Sequence, residues 1–298
     1  MAKLTWEAGD ILPQIHCPLF TRLPAEIRIE IFEYALTAFD DTSNPYREDD
    51  YFFRPGYEYR QVLSTTLPQT CRHIYCETRL LSALVNELVG WYTTTRAPPP
   101  KLESANSIKK DLVMTREQFS LTRIHLHTQQ YWLESRHFIE LLKRWKTSPR
   151  SLHITWFWES GAALAFNPKK FGQPTPGVFG AEDPFARGSW GLAFRHIPDL
   201  QEFKLELETV VPKKAELANV VSHASTWKFP SADGKYLKLN EGKTISTSWL
   251  GPKVYNSYHE LPFLTRALTR VAPNNKEKQE FIVTTLTWVP QAIATVAS

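Results

Sequence analysis

The chain has little cysteine and no long apolar run. Its 298 residues include Cys17, Cys71 and Cys76, an odd number that is too small for a disulfide framework. No apolar stretch approaches the roughly 18 residues of a membrane-spanning helix, and MAKLTWEAGDILPQ at the start lacks the apolar core of a signal peptide. We therefore expect a soluble protein with no membrane partner, in the cytoplasm or the nucleus.

Strong charge and catalytic motifs are also missing. The 35 basic and 31 acidic residues leave a formal net charge of +4, which is too small to favour a nucleic-acid partner. The sequence has no G-x-S-x-G elbow, P-loop, dinucleotide fingerprint or H-E-x-x-H. We therefore predict a protein that is not an enzyme, with no catalytic residue, no metal ligand and no cofactor.

Aromatic residues, by contrast, are frequent, with 10 Trp, 11 Tyr and 17 Phe. Such side chains bury large areas and dominate both cores and interfaces. The composition therefore predicts a substantial core, with aromatic surface available for a protein partner.

The first hundred residues predict two helices around an insert. Pro24 suits a first helical turn, and the apolar residues Ile27, Ile31 and Ala35 recur at helical spacing, which predicts a helix over 24–38. A second helix is predicted over about 66–84. The aromatic and polar segment 40–60 separates the two, and Pro98 to Pro100 mark a stiff boundary.

Beyond the prolines the apolar period changes to two. Segments 121–127, 151–158 and 200–208 alternate as strands do, and a helical pattern separates the first two. Strand, helix and strand in this order predict a βαβ unit with parallel strands. The fold class predicted is α+β: a helical module over 1–97, with its aromatic insert, packed on a mixed domain over 98–298 and sharing one core with it. Further elements are expected as a loop at 159–198, a helix at 212–227 and strands near 237–239, 245–251 and 281–289.

Two N-terminal segments resemble an F-box. LPAEIRIEIFEYAL, residues 23–36, resembles its opening, and LPQTCRHIYCETRLL, residues 67–81, resembles its later part. The whole chain is also similar to a group of uncharacterised fungal F-box-like proteins. The features shared with that group are the R-P-G-Y of Arg54 to Tyr57, the T-C-R helix, the segment Gln129 to Trp132 and the tail STWKFPSADGK at 225–235.

The F-box resemblance implies a protein-interaction module, and with it a substrate-recruiting subunit of an SCF-type ubiquitin ligase. Its adaptor-binding residues for a Skp-type adaptor are then Leu19, Phe20, Leu23, Pro24, Ile27 and Ile31. The client-binding residues expected in the insert, where Tyr and Arg commonly anchor interfaces, are Tyr51, Phe52, Phe53, Arg54, Tyr57 and Tyr59. The alternative interpretations are that the stripe packs on the second helix and that the insert folds over the core, in a scaffold unrelated to ubiquitin.

A third hypothesis, a metal-dependent enzyme, rests on histidines. His125 and His127 share one face of a predicted strand and His153 lies on the next, so three imidazoles could hold zinc or iron. The alternation places them opposite Ile124 and Leu126, where solvent is the simpler expectation. Cys71, His73 and Cys76 have poor spacing for a shared site, and Glu206 with Glu208 is expected to form a solvated edge.

Overall fold

Helices and strands alternate along the part of the chain that the structure describes. The computed structural model describes residues 12, 14–48, 53–92, 116–128, 130–133, 136–145, 147–157, 190–232, 235–253 and 277–291. The helices in these ranges are α1 (Pro18–Thr21), α2 (Ala25–Leu36), α3 (Arg72–Thr78), α4 (Leu81–Val85), α5 (Arg116–Leu121), α6 (Gln130–Leu133), α7 (Arg136–Arg144) and α8 (Lys214–Ala224). None of these helices has the length and apolar character needed to span a bilayer.

The strands form a two-stranded hairpin and an eight-stranded mixed sheet. The hairpin pairs β1 (Phe39–Pro45) with β2 (Tyr59–Val62). The sheet strands are β3 (Glu87–Tyr92), β4 (Arg123–Thr128), β5 (Ser151–Phe157), β6 (Glu202–Val210), β7 (Lys228–Pro230), β8 (Tyr236–Leu239), β9 (Ile245–Pro252) and β10 (Lys278–Gln291). Short 3₁₀ turns occupy Leu67–Gln69, Trp190–His196, Val211–Lys213 and Glu241–Lys243.

The sheet is parallel in one half and antiparallel in the other. Its order is β3-β4-β5-β6-β10-β8-β7, with β9 also paired to β10. The pairs from β3 to β6 are parallel, and the pairs of β10 are antiparallel. The α+β class is therefore observed, and the predicted parallel unit is present as β4, α7 and β5.

One face of the sheet carries the main hydrophobic core. Ile124, Leu152 and Phe203 are paired in register across three strands, and all three are fully buried. The helical segments that follow β5 and β6 in the chain bring Trp190 and Val220 into the same core. This face has the apolar alternation that the sequence predicts, because strand residues two apart point to the same side.

The N-terminal helices are joined by polar contacts. Arg28 of α2 donates from Nε and Nη2 to the two carboxylate oxygens of Glu77 of α3, at 3.2 and 2.9 Å. The amide of Asn86 bridges α2 and α4, since its Nδ2 donates to Leu36 O at 2.7 Å and to Ser82 O at 2.9 Å. The orientation of α2 on the module is therefore fixed from both of its ends.

Three boundaries differ from the sequence prediction. The helix expected over 66–84 is three pieces, because Cys71 is extended at φ −157° and caps α3. The insert contains the hairpin β1–β2 in place of an unstructured loop. Strand β3 lies before the predicted boundary at residue 97 but pairs with β4 beyond it, so one sheet spans both predicted regions.

Candidate functional site

An apolar stripe on α2 faces away from the module. Phe32 and Leu36, one turn apart, are buried, so the opposite side of the helix points outward. There the exposed fractions are 42% for Ile27, 43% for Ile31 and 88% for Tyr34, and Ala35 is also exposed. We name Ile27, Ile31, Tyr34 and Ala35 the α2 stripe. The apolar residues that predicted the helix are therefore mainly exposed. The buried side of the helix carries a second set of apolar residues, Phe32 and Leu36.

The six residues predicted to bind an adaptor fall into two groups. Ile27, Ile31 and Pro24 are exposed, and Leu19, Phe20 and Leu23 are partly buried. The ring of Phe20 stacks on His73 with centroids 4.0 Å apart and lies under the Arg28 guanidinium. Phe20 therefore contributes to packing within the module, and the surface available to a partner is the α2 stripe.

The second face of the sheet is polar but not solvated. The registers place His125 beside His153, and His127 beside Thr155 and then Glu206. His125, His127 and Thr155 are all buried. The expectation that these histidines face solvent is therefore wrong, because the insert folds over this face of the sheet.

Arg54 of the insert holds it to the sheet. Its exposed fraction is 6%, and its Nη2 contacts the carboxylates of Glu206 and Glu208, the latter at 3.3 Å. Glu208 is buried as well, so the expected solvated edge of Glu206 and Glu208 is incorrect. Burial lowers the pKa of Arg54, but the two carboxylates outweigh this effect and the net pKa is raised.

Tyr57 of the insert closes over the histidines. Its hydroxyl lies 3.2 Å from His125 Nδ1, and its ring packs edge-on against Trp91 and His127. Trp91 in turn stacks on His127 with centroids 4.1 Å apart. His127 is therefore enclosed by aromatic rings.

Three side chains of the polar face form what we name the histidine cluster: Glu87, His125 and His153. One potential ligand atom from each lies within 4.8 Å of the others. His125 Nδ1 is 3.3 Å from Glu87 Oε2, and the rings of His125 and His153 stack at 3.8 Å. Within the described residues, Cys71, His73 and Cys76 form no comparable group.

The environment shifts the pKa values of these groups. Burial lowers the pKa of His125 to about 4, and His153 adds to the decrease, while Glu87 opposes it. Burial raises the pKa of Glu206, but the contact with His153 and the charge of Arg54 outweigh burial and lower it to about 2. At neutral pH the polar face therefore combines ionised carboxylates with a neutral His125.

A cavity of about 740 Å³ opens beside the cluster. Its lining includes Arg54, Tyr57, Glu87, His125, His153 and Glu206. A second cavity of about 430 Å³ also reaches Glu87 and His153. A small solute or ion therefore has space to approach the histidine cluster from two sides.

The residues predicted to bind a client are divided by the structure. Arg54 is inside the fold, Tyr57 lines the cavity, and Phe53 and Tyr59 are partly buried. Tyr51 and Phe52 lie outside the described residues. The sequence interpretation did not include Glu87. Val89 and Trp91 follow it at the two-residue spacing of a strand, and this signal could have placed Glu87 beside His125.

Comparison of the chain with protein-family models, with curated proteins and with solved structures finds no match in any of the three.

Proposed function

We propose that the chain is an F-box-like protein-interaction subunit that binds a Skp-type adaptor through the α2 stripe. The observation that carries the proposal is the exposure of Ile27 and Ile31 on a helix whose opposite side is already packed. Large contiguous patches of exposed apolar residues are rare on monomeric soluble proteins and often mark protein-binding surfaces. The resemblance of residues 23–36 to the opening of an F-box supports a Skp-type adaptor as the partner.

The packing of α2 supports a role in binding. Phe32 and Leu36 on the inner side of the helix are already buried in the module, and the ion pair of Arg28 with Glu77 fixes the helix on α3. The second apolar side of the helix is not covered by any of the described residues, so it is available to another molecule. Burial of apolar area contributes roughly 25 cal/mol per Å², so covering the α2 stripe favours a complex without any rearrangement of the module.

Client recruitment is the second part of the proposal. Arg54 and Tyr57 fix the insert on the sheet, which leaves Phe53 and Tyr59, together with Tyr51 and Phe52, as the aromatic residues for a client contact. We place the protein in the cytoplasm or the nucleus, where a ubiquitin-ligase adaptor would meet it.

Two other functions fit parts of the structure. A scaffold unrelated to ubiquitin would use the same α2 stripe with a different partner. A metal-dependent enzyme is favoured by one observation, the convergence of His125 and His153 with Glu87 beside a cavity. The identity of the captured partner distinguishes the first of these from the F-box proposal.

The proposal is tested by titrating a purified Skp-type adaptor into the purified chain in a calorimeter. We expect a 1:1 complex, because the chain presents one such stripe in its described residues. Affinity purification followed by mass spectrometry should then recover the adaptor together with a cullin. A folded chain that binds no adaptor, while mass spectrometry recovers other stoichiometric partners, would replace the F-box proposal with the scaffold.

A further inference from the structure

The histidine cluster has the composition of a transition-metal site. Glu87, His125 and His153 lie on three adjacent parallel strands and project from the same face. Two imidazoles and one carboxylate are the protein ligands of many catalytic zinc sites, where water occupies the fourth position. The same set also binds ferrous iron in other proteins. Glu87, which the sequence interpretation did not include, supplies the only negative charge among the three.

The hydrogen bonds around His125 indicate which nitrogen would bind the ion. Thr155 Oγ1 donates to Glu206 Oε1 at 3.2 Å, and a hydroxyl has a single proton to donate. In the tautomer that keeps this bond, the imidazole donates from Nε2 across the contact of 2.7 Å to Thr155 Oγ1. In the neutral ring, Nδ1 then carries the lone pair, and it faces Glu87 Oε2 at 3.3 Å.

Two acceptors that face each other at this distance repel unless a cation or a proton lies between them. The Tyr57 hydroxyl lies 3.2 Å from the same nitrogen, Nδ1 of His125, but its single proton can serve only one of these two acceptors, so the contact between the acceptors themselves stays repulsive. A metal ion between Nδ1 and the Glu87 carboxylate removes the repulsion and uses both lone pairs. His153 has the matching orientation, since its Nε2 lies 3.3 Å from Glu206 Oε2, which leaves Nδ1 as its ligand atom. Ligand atoms around tetrahedral zinc stand about 3.3 Å apart, given Zn–N bonds of about 2.05 Å.

We propose that Glu87, His125 and His153 bind one divalent transition-metal ion, with zinc the ion that best matches the ligands. Because the two rings are stacked, binding of one ion would require them to tilt towards each other. All three residues line the cavity of about 740 Å³, which has room for a water molecule at the remaining coordination position.

The surrounding residues match the outer shell of such a site. Metal-binding histidines usually donate their second N–H to a hydroxyl, carbonyl or carboxylate, which fixes the ring. Thr155 takes this role for His125, and Glu206 Oε2 lies 3.3 Å from Nε2 of His153, close enough to take the same role there. Arg54 holds Glu206 from the other side, so the insert that covers the sheet also orders the outer shell.

The test is a zinc titration of tag-free protein that has first been stripped with a chelator, read by calorimetry and by elemental analysis after dialysis. We expect one zinc per wild-type chain and a rise in melting temperature on binding. Glu87→Gln and His153→Asn should each lower the zinc affinity by more than about 100-fold. Thr155→Val should lower it by about 10- to 100-fold, as outer-shell changes commonly do.

His73→Asn is the matched control, because His73 and Glu77 form a histidine–carboxylate pair at 3.2 Å elsewhere on the chain. Its zinc affinity should equal that of the wild type. Circular dichroism establishes that each variant is folded, and Glu87→Gln is the decisive variant because its side chain is partly exposed. The proposal is overturned if folded wild type binds no zinc, or if Glu87→Gln and His153→Asn bind as tightly as wild type. The latter result would assign the Glu87–His125 contact to a neutral imidazole that donates from Nδ1 to the carboxylate.

Discussion

Replacement of Arg54 by Met is expected to lower the free energy of unfolding by about 3–5 kcal/mol, the usual cost of removing one partner of a buried ion pair. The guanidinium is buried between Glu206 and Glu208. Without it, both carboxylates keep their charge in a poorly hydrated place and lose the guanidinium that contacts both of them. Chemical denaturation, monitored by tryptophan fluorescence, measures the loss.

Arg60→Met is the matched control, since Arg60 is a partly buried arginine on β2 of the same insert. Its effect should stay within about 1 kcal/mol, because Arg60 is not enclosed between buried carboxylates and charge interactions near the surface contribute little. Adding Glu208→Gln to Arg54→Met should recover part of the loss, because one buried charge is removed. Equal effects of the two arginine variants would contradict the assignment of Arg54 as the residue that fixes the insert to the sheet.

Trp288→Ala is expected to destabilise the protein by about 3–5 kcal/mol, the range for deleting a large buried aromatic side chain. Trp288 of β10 is fully buried, and its ring lies 5.3 Å from Phe203 and 5.2 Å from Phe229 between ring centroids. Its Nε1–H also donates to Trp227 O at 3.0 Å. The substitution therefore leaves a cavity and an unsatisfied carbonyl together. Thermal and urea unfolding curves measure the change.

Trp249→Ala provides the comparison on the neighbouring strand β9. Trp249 stacks on Phe281 at 4.5 Å but is only partly buried. Its loss should therefore cost clearly less than the loss of Trp288. If both variants unfold at the same denaturant concentration as wild type, Trp288 does not lie in the core of the folded protein.

Local patterns in the sequence were sufficient to predict several elements. Alternation at 121–127 and 151–158 with a helical segment between them predicted β4, α7 and β5, because the apolar face of each strand meets one continuous core. The stripe at Ile27 and Ile31 predicted α2 within one or two residues of its ends. Pattern alone, however, does not say which side of a helix is covered when both sides are apolar.

The insert illustrates why other elements were not predicted. Strand β1 is the segment FDDTSNP, whose Asp, Asn and Pro residues have low strand propensity. It pairs antiparallel with β2, and just beyond the two strands Tyr46 N donates to Glu58 O at 2.8 Å. Propensity therefore indicated a loop, while pairing across the insert determines a hairpin.

The candidate site depends on contacts between residues distant in the chain. Arg54 and Glu206 are 152 positions apart, and no periodicity connects them. The strand alternation placed His125 on a polar face, and such faces are commonly solvated. Here a separate segment covers that face, so the burial of His125 and the approach of Glu87 follow from tertiary structure that the local sequence does not encode.

The most direct test of the proposed function compares Ile27→Asp with Ile29→Asp. Both isoleucines belong to α2 and both have an exposed fraction of 42%, but two helical steps place them about 200° apart around the axis. A new charge at Ile27 would be buried in the adaptor interface without a partner, at a cost of several kcal/mol.

Adaptor affinity by calorimetry and melting temperature should be measured on the same preparations. We expect Ile27→Asp to bind the Skp-type adaptor at least about 100-fold more weakly, which is about 2.7 kcal/mol, and Ile29→Asp to bind as wild type does. Ile27→Asp should melt close to wild type, and any loss of melting temperature should be larger for Ile29→Asp, because Ile29 lies on the side of the buried Phe32 and Leu36. Equal adaptor binding by the two variants, or unfolding of Ile27→Asp alone, would contradict the claim that the α2 stripe is the exposed binding surface.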